Sequence, residues 1–278
     1  PVLIDQEGGR VERLRAPDWF EAKPLGYFGA LYETDPDRAI EALRLTTRLI
    51  AADLQAADIT VNCTPCLDLH LPETVDAIGD RALAADPQVV ARLGAVVAEE
   101  MLTAGIIPVV KHIPGHGRAT VDSHKALPHV STKATELQEA DFAPFKALSL
   151  LPWGMTSHIV FEDIDAEAPA TQSRAVIDGV IRGIIGFDGL LLTDDLNMEA
   201  LSGDLAERAQ AALAAGVDIV LHCSGKLEEM KAVAEVCPKL GDKALARIDL
   251  GNRVFEHTPP PIDTKADKAR LDELLSAE

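Results

Sequence analysis

The stretch Ile106-Ile-Pro-Val-Val-Lys-His-Ile-Pro-Gly-His-Gly117 decides the fold class. A continuous apolar run leads into Lys111 and His112 and then breaks at a Pro/Gly turn. Continuous rather than alternating hydrophobicity marks a parallel strand covered on both faces. A lysine at the end of such a strand is costly to bury unpaired, so it calls for an acidic neighbour or a ligand rich in hydroxyls.

Working outward, five further runs have the same form: 1–5 (PVLID), 59–65 (ITVNCTP), 154–160 (GMTSHIV), 189–196 (GLLLTDDL) and 218–223 (DIVLHC). Between them lie helical patterns over about 35–57, 86–104, 133–150, 173–185, 204–215 and 226–256. Several open on Asp-Pro or Asp caps and end at Gly105, Gly186 or Gly216. Strand and helix alternation predicts βαβ units and a parallel sheet. Asp5, Asp68, Lys111, His112, His158, Asp194 and His222 sit at or just after the C-terminal ends of different strands. In a barrel those ends converge on one face, whereas in an open doubly wound sheet only those beside a switch point meet. The expectation is therefore an α/β fold of the TIM (β/α)8 type. Six strands are visible where eight are needed, so the first two are expected to be missing ahead of Pro1. Residues 1–258 are read as a single barrel catalytic domain, and 259–278 as a charged C-terminal tail with a short helix from Asp267 to Leu275.

Composition narrows the function. The chain is 47 % hydrophobic over 278 residues, enough for a large core without a metal or disulfide staple. A net charge of −19 argues against nucleic-acid and anionic-membrane surfaces. No run approaches the ~20 apolar residues of a membrane span, and the start lacks a signal-peptide pattern. Cys63-Thr-Pro-Cys66 has redox-motif spacing, but it ends a strand-like run rather than opening a helix, and Cys223 and Cys237 are too far apart to complete a zinc site. Four reduced thiols in a cytoplasmic protein are expected.

Four segments carry chemistry. Asp5-Gln-Glu-Gly-Gly-Arg-Val-Glu-Arg13 follows the first strand; Gly8-Gly9 permits a tight turn that leaves Asp5, Arg10 and Arg13 at a cleft mouth. His112 and His116 stand four apart, but Pro114 and Gly115 prevent a helix from presenting both to a metal. No metal and no cofactor is expected. Asp122 and His124 are two apart on a polar loop, near enough for the carboxylate to orient the imidazole as a general acid near neutrality. Asp194 and Asp195 end the fifth strand, where alternation sends one toward the cleft and leaves the other to structure.

DQEGGRV (5–11), GDR (79–81), KHIPGHG (111–117) followed by DSH (122–124), PATQS (169–173) and TDDLNM (193–198) together resemble glycoside hydrolase family 3. Within it they are similar to the bacterial β-N-acetylglucosaminidase branch of peptidoglycan recycling. The resemblance implies Asp194 as nucleophile, His124 as acid/base and Asp122 as its orienting partner. It places Lys111, His112, Arg81, Asp5 and Arg13 on the sugar hydroxyls and Met198 along the same pocket. It further implies retention through a covalent glycosyl-enzyme, acting on a terminal N-acetylglucosamine of a muropeptide. The family fold carries two strands ahead of the DQEGGR strand, in accord with the count of six. An aromatic content of 4 % fits an exo-acting pocket for a short saccharide better than a long groove of stacking platforms. Three other readings stand beside this one: a phosphorylase using the same His/Asp pair, a metal-dependent hydrolase using His112, His116 and Asp194, and a non-catalytic sugar-binding remnant if the chain is truly truncated.

Overall fold

The computed structural model describes residues 1–276. All six apolar runs become strands of one parallel sheet: β1 (Leu3–Ile4), β2 (Val61–Asn62), β3 (Ile107–Ile113), then β5 (Trp153–Thr156), β7 (Leu190–Asp195) and β8 (Ile219–Leu221). They lie in the order β1-β2-β3-β5-β7-β8, every pairing parallel. A separate two-stranded parallel sheet, not anticipated from the sequence, joins β4 (His129–Val130) to β6 (Val160–Phe161).

Side-chain alternation along these strands builds two apolar layers. Val61, Cys63, Ile107, Val109, Trp153, Met155, Leu190 and Leu192 point to one side, where Leu3, Ile219, Leu221, Ile248 and Val254 join them. Val110, Ile113 and Leu191 point to the other side and pack against the helices. Burial on both faces explains why the strands read as continuous apolar runs. The sheet is curled into a half-barrel. Among the described residues β1 and β8 each pair with one sheet neighbour, so these six strands do not close the eight-strand ring expected from the sequence.

Helices α1 (Leu25–Thr34), α2 (Pro36–Ala56), α3 (Pro87–Thr103), α4 (Ala134–Glu139) and α5 (Ala143–Ala147) cover the first half. A helix of wider π-type winding (Ala175–Ile185), then α6 (Leu205–Ala215), α7 (Leu227–Val236) and α8 (Asp242–Asn252), cover the second. The Asp caps perform as their positions predict. Asp35 accepts from Arg38 N at 3.1 Å, Asp86 from Gln88 N at 2.7 Å, and Asp204 forms a reciprocal capping box with Glu207. Each such cap contributes about 1 kcal/mol.

Two expected helices are subdivided. The 133–150 segment breaks between α4 and α5, where Asp141 is buried and turned to Arg118 (2.7 Å). The 226–256 segment breaks at 237–241, where Pro238 cannot continue α7. In the charged C-terminal segment 259–278, the described residues include helix α9 (Thr264–Ser276), longer than the expected 267–275; residues 277 and 278 lie outside the described residues. Leu271 and Leu274 of α9 are buried in the main core, Arg48 pairs with Asp267 at 2.9 Å, and Arg270 pairs with Glu41 at 2.7 Å. No helix among the described residues is long and apolar enough to cross a membrane.

Candidate active site

The C-terminal ends of the strands open into a cleft of about 670 Å³. Asp5, Arg13, Arg81, Lys111, His112, Asp122, His124, Asp194 and Met198 all line it. The residues that the family resemblance assigned to binding or catalysis are thus brought to one place, from positions up to 193 apart.

The floor is ionic and buried. Lys111, only 2 % exposed, reaches Glu7 Oε1 at 2.6 Å and Asp5 Oδ1 at 2.9 Å. Arg81 donates through Nε and Nη2 to the two oxygens of Glu7 at 3.0 and 2.9 Å, a two-point contact that fixes both planes. Burial by itself would raise the Glu7 carboxyl; Lys111 and Arg81 overcome it and hold the group at about 2. For Lys111, burial favours the neutral amine, but Glu7 and Asp5 prevail and keep it charged. The acidic neighbour that a buried lysine requires is chiefly Glu7, a residue of the DQEGGR segment to which sequence reasoning gave no role. Gly8 explains how that segment turns back so tightly. It has φ +105°, and a Cβ there would stand 2.6 Å from the carbonyl oxygen of Lys23.

His112 is held from behind. Its Nδ1 lies 2.6 Å from Asp68 Oδ2, while Asp68 Oδ1 accepts the backbone N–H groups of His112 (3.2 Å) and His116 (2.6 Å). Burial opposes the Asp68 charge, yet His112 draws its carboxyl well below the usual range. On the other edge of the ring, Nε2 is 3.8 Å from Asp194 Oδ2. Cys66, Asp68 and His112 bring three potential ligand atoms within 4.8 Å of one another, the one such group with metal-ligand chemistry among the described residues. Those atoms are already hydrogen-bonded to each other, since Cys66 Sγ also donates to Asp68 Oδ2 at 3.3 Å. His112 and His116, whose ring centroids are 5.6 Å apart, stack edge to face.

Asp194 lies at the end of β7 with its Oδ1 accepting the Asp195 N–H at 2.8 Å. Burial raises its carboxyl, but His112, His158 and that N–H outweigh burial and keep it below the usual range. An ionised, oriented carboxylate results. Asp195 turns away and accepts from Asn197 N and Cys223 N, each at 3.1 Å, tying β7 to the end of β8. His158 is fixed by Thr171 (2.7 Å) and by the Asp195 carbonyl (3.1 Å), so the PATQS segment acts as a brace under the strand end.

Facing this floor, the loop after β3 carries Asp122 and His124. Asp122 Oδ1 accepts from His124 Nδ1 at 2.9 Å and from His124 N at 3.0 Å. Burial would raise Asp122, but its two bonds to His124 lower it on balance. The His124 side chain is 62 % exposed, and among the described residues its Nε2 has no protein partner.

A curled parallel α/β sheet with ionisable groups gathered at the C-terminal strand ends defines an enzyme of the barrel-related class, built to hold a small polar substrate. Comparison with known proteins specifies it. The glycosyl hydrolase family 3 N terminal domain matches residues 1–254. A "Beta-hexosaminidase" from Bordetella avium (strain 197N) is 36 % identical over 267 residues, covering 94 % of this chain and 70 % of that protein. Among solved structures, NagZ from Neisseria gonorrhoeae in complex with N-trifluoroacetyl-D-glucosamine superposes with a TM-score of 0.85. Its identity is 28 %, over 99 % of this chain and 81 % of that one. A glycoside hydrolase family 3 β-N-acetylglucosaminidase from Paenibacillus sp. str. FPU-7 gives a TM-score of 0.84 at 29 % identity, covering 98 % and 55 %. The chain belongs to glycosyl hydrolase family 3, as a glycoside hydrolase of the β-hexosaminidase type.

Proposed function

We propose that the chain is a retaining exo-β-N-acetylglucosaminidase. Asp194 attacks the anomeric carbon while His124 protonates the departing oxygen. The resulting glycosyl-enzyme is then hydrolysed by water that neutral His124 activates. Asp122 holds the imidazole in the tautomer and orientation this requires. Lys111, Asp5, Arg81, Arg13 and His112 bind the sugar hydroxyls, and Met198 lines the pocket. The observation that carries the reading is the single cleft shared by an ionised Asp194 and the Asp122–His124 pair.

A muropeptide carrying a terminal N-acetylglucosamine is the substrate we favour, in a cytoplasmic setting consistent with free thiols at Cys63 and Cys66. We also read the half-barrel as six strands of an eight-strand barrel, because its apolar inner layer extends to both open edges through Leu3, Ile219 and Leu221. The test of mechanism is covalent trapping. A fluorinated N-acetylglucosaminyl donor that forms the intermediate but hydrolyses it slowly should add one sugar to the protein, on the peptide containing Asp194. Asp194→Ala should acquire no label and lose turnover by about 10⁴ or more. Labelling elsewhere, or inverted product, sinks the assignment. Running the reaction with and without inorganic phosphate tells a free sugar product from a sugar phosphate.

A further inference from the structure

Between Asp122 and His124 lies Ser123, only 4 % exposed although both neighbours face the cleft. Its hydroxyl sits 3.3 Å from His116 Nε2 and 3.7 Å from Met198 Sδ, and its carbonyl accepts the Ala200 N–H at 3.1 Å. These contacts reach two segments of separate origin. His116 belongs to the turn after β3, with its backbone N–H on Asp68; Met198 and Ala200 belong to the turn after β7, where Met198 N donates to Asp195 O at 3.2 Å. Ser123 therefore closes a circuit that runs from Asp194 through His112, Asp68 and His116 to the loop, and back through Met198 to the residue beside Asp194.

The donor roles in the circuit are consistent. His116 Nδ1 is buried without a partner, as an acceptor nitrogen can be, so the ring proton lies on Nε2 and points to Ser123 Oγ. The serine proton is then free to point at Met198 Sδ. Burial supports a neutral ring, since it holds His116 at about 4, against the attraction of Asp68. The loop's other attachments lie toward its two ends: Gly117 O accepts from Thr74 Oγ1 at 2.6 Å, Ala119 O from Val75 N at 3.1 Å, and Pro128 O from Val160 N at 3.0 Å. Asp122 O accepts from Lys125 N (2.8 Å) and Ala126 N (3.1 Å), which forms the turn without attaching it to the sheet.

We propose that Ser123 is a positioning residue, a latch that sets the reach of the His124 acid/base over Asp194 by docking its loop on His116 and the Met198–Ala200 turn. This rests on the assignment of Asp194 and His124 given above. A general acid displaced by about 1 Å loses most of its benefit, and the loss falls on leaving groups that need protonation.

The experiment compares kcat/KM on phenyl and dinitrophenyl N-acetyl-β-glucosaminides, the second leaving with little proton assistance. Ser123→Ala should lose about tenfold on the phenyl glycoside and no more than about twofold on the dinitrophenyl one. His116→Phe, which removes the other end of the bond while keeping a ring of similar size, should show the same selective loss and supplies the reading if Ser123→Ala misfolds. Combining the two should add little to either. Equal losses on both substrates, or no loss, with His124→Ala still selective for the phenyl glycoside, would overturn the latch alone. A His124→Ala variant that falls equally on both substrates would overturn the catalytic assignment, and the latch with it.

Discussion

The molecule holds the same chemical pair twice, in opposite surroundings. Asp68 and His112 meet at 2.6 Å at the floor of the cleft, both buried; Asp122 and His124 meet at 2.9 Å on a loop above it, with the imidazole largely in solvent. Asp68 is saturated, accepting from two backbone N–H groups, an imidazole and a thiol, and His112 is directed at Asp194. Asp122 accepts from one imidazole and one N–H, leaving the far edge of His124 open to whatever enters. The contrast teaches that an Asp–His pair is not in itself a catalytic signature. A saturated pair fixes geometry, and an open one can exchange a proton with a substrate.

The largest expected effect separates the two. His124→Ala should cut kcat on an unactivated glycoside by about 10²–10⁴, the worth of a general acid. Stability should change by less than about 0.5 kcal/mol, because the side chain is exposed. A parallel fall in rate and in the denaturation midpoint would mean that the outer pair is also scaffold. Next comes Asp68→Ala. It strands the His112 ring and two backbone donors without an acceptor, so chemical denaturation should show a loss of about 3–5 kcal/mol. If instead Asp68→Ala folds with unchanged stability and only activity falls, the inner pair does not hold the fold together.

A smaller effect sharpens the outer pair. Asp122→Asn keeps shape and removes charge, and should lower kcat by about 10–10² with little change in KM, as for an orienting group acting through His124. Asp122 is only partly buried and its partner His124 is exposed, so the stability cost should stay below about 1 kcal/mol. A change confined to KM would make Asp122 a substrate contact instead.

The two pairs were not equally legible in the sequence. Asp122 and His124 are two residues apart, and so is the chemistry. Asp68 and His112 are 44 apart and meet only because β2 and β3 are neighbours in the sheet. Their strand-end positions could be read from hydropathy, but their partnership could not. The same limit hid Glu7, whose place inside a Gly-rich loop gave no sign that it would lie buried between Lys111 and Arg81. Strands were legible because burial on both faces leaves an unbroken apolar run. Helix α1 was not, since it has two glycines and no side-chain cap; it forms because Gly29 packs so closely on Leu83 that a Cβ would collide with its carbonyl.

The smallest effect concerns pH, and it tests whether the buried side of the comparison extends to His116. Burial lowers this imidazole from 6.5 to about 4 in the folded protein. Between those values the unfolded chain binds a proton that the folded chain refuses, so stability falls as pH drops through the window and levels off below about 4. Buried His158, also lowered, contributes in the same sense. Glu7 and Asp68 act lower down. Their stabilisation is present above the ordinary carboxylate range and is lost as pH falls through their depressed folded values, about 2 for Glu7. Asp141, raised by burial, works in the opposite direction near the ordinary carboxylate range. Denaturation of the wild type at pH 7.5 and 5.5 should therefore show the lower value less stable, with each histidine adding at most about 1.4 kcal/mol per pH unit. His116→Phe should flatten that slope by one histidine's share. An unchanged slope would mean that His116 accepts its proton in the folded state, and Ser123 would then face an imidazolium rather than a neutral ring.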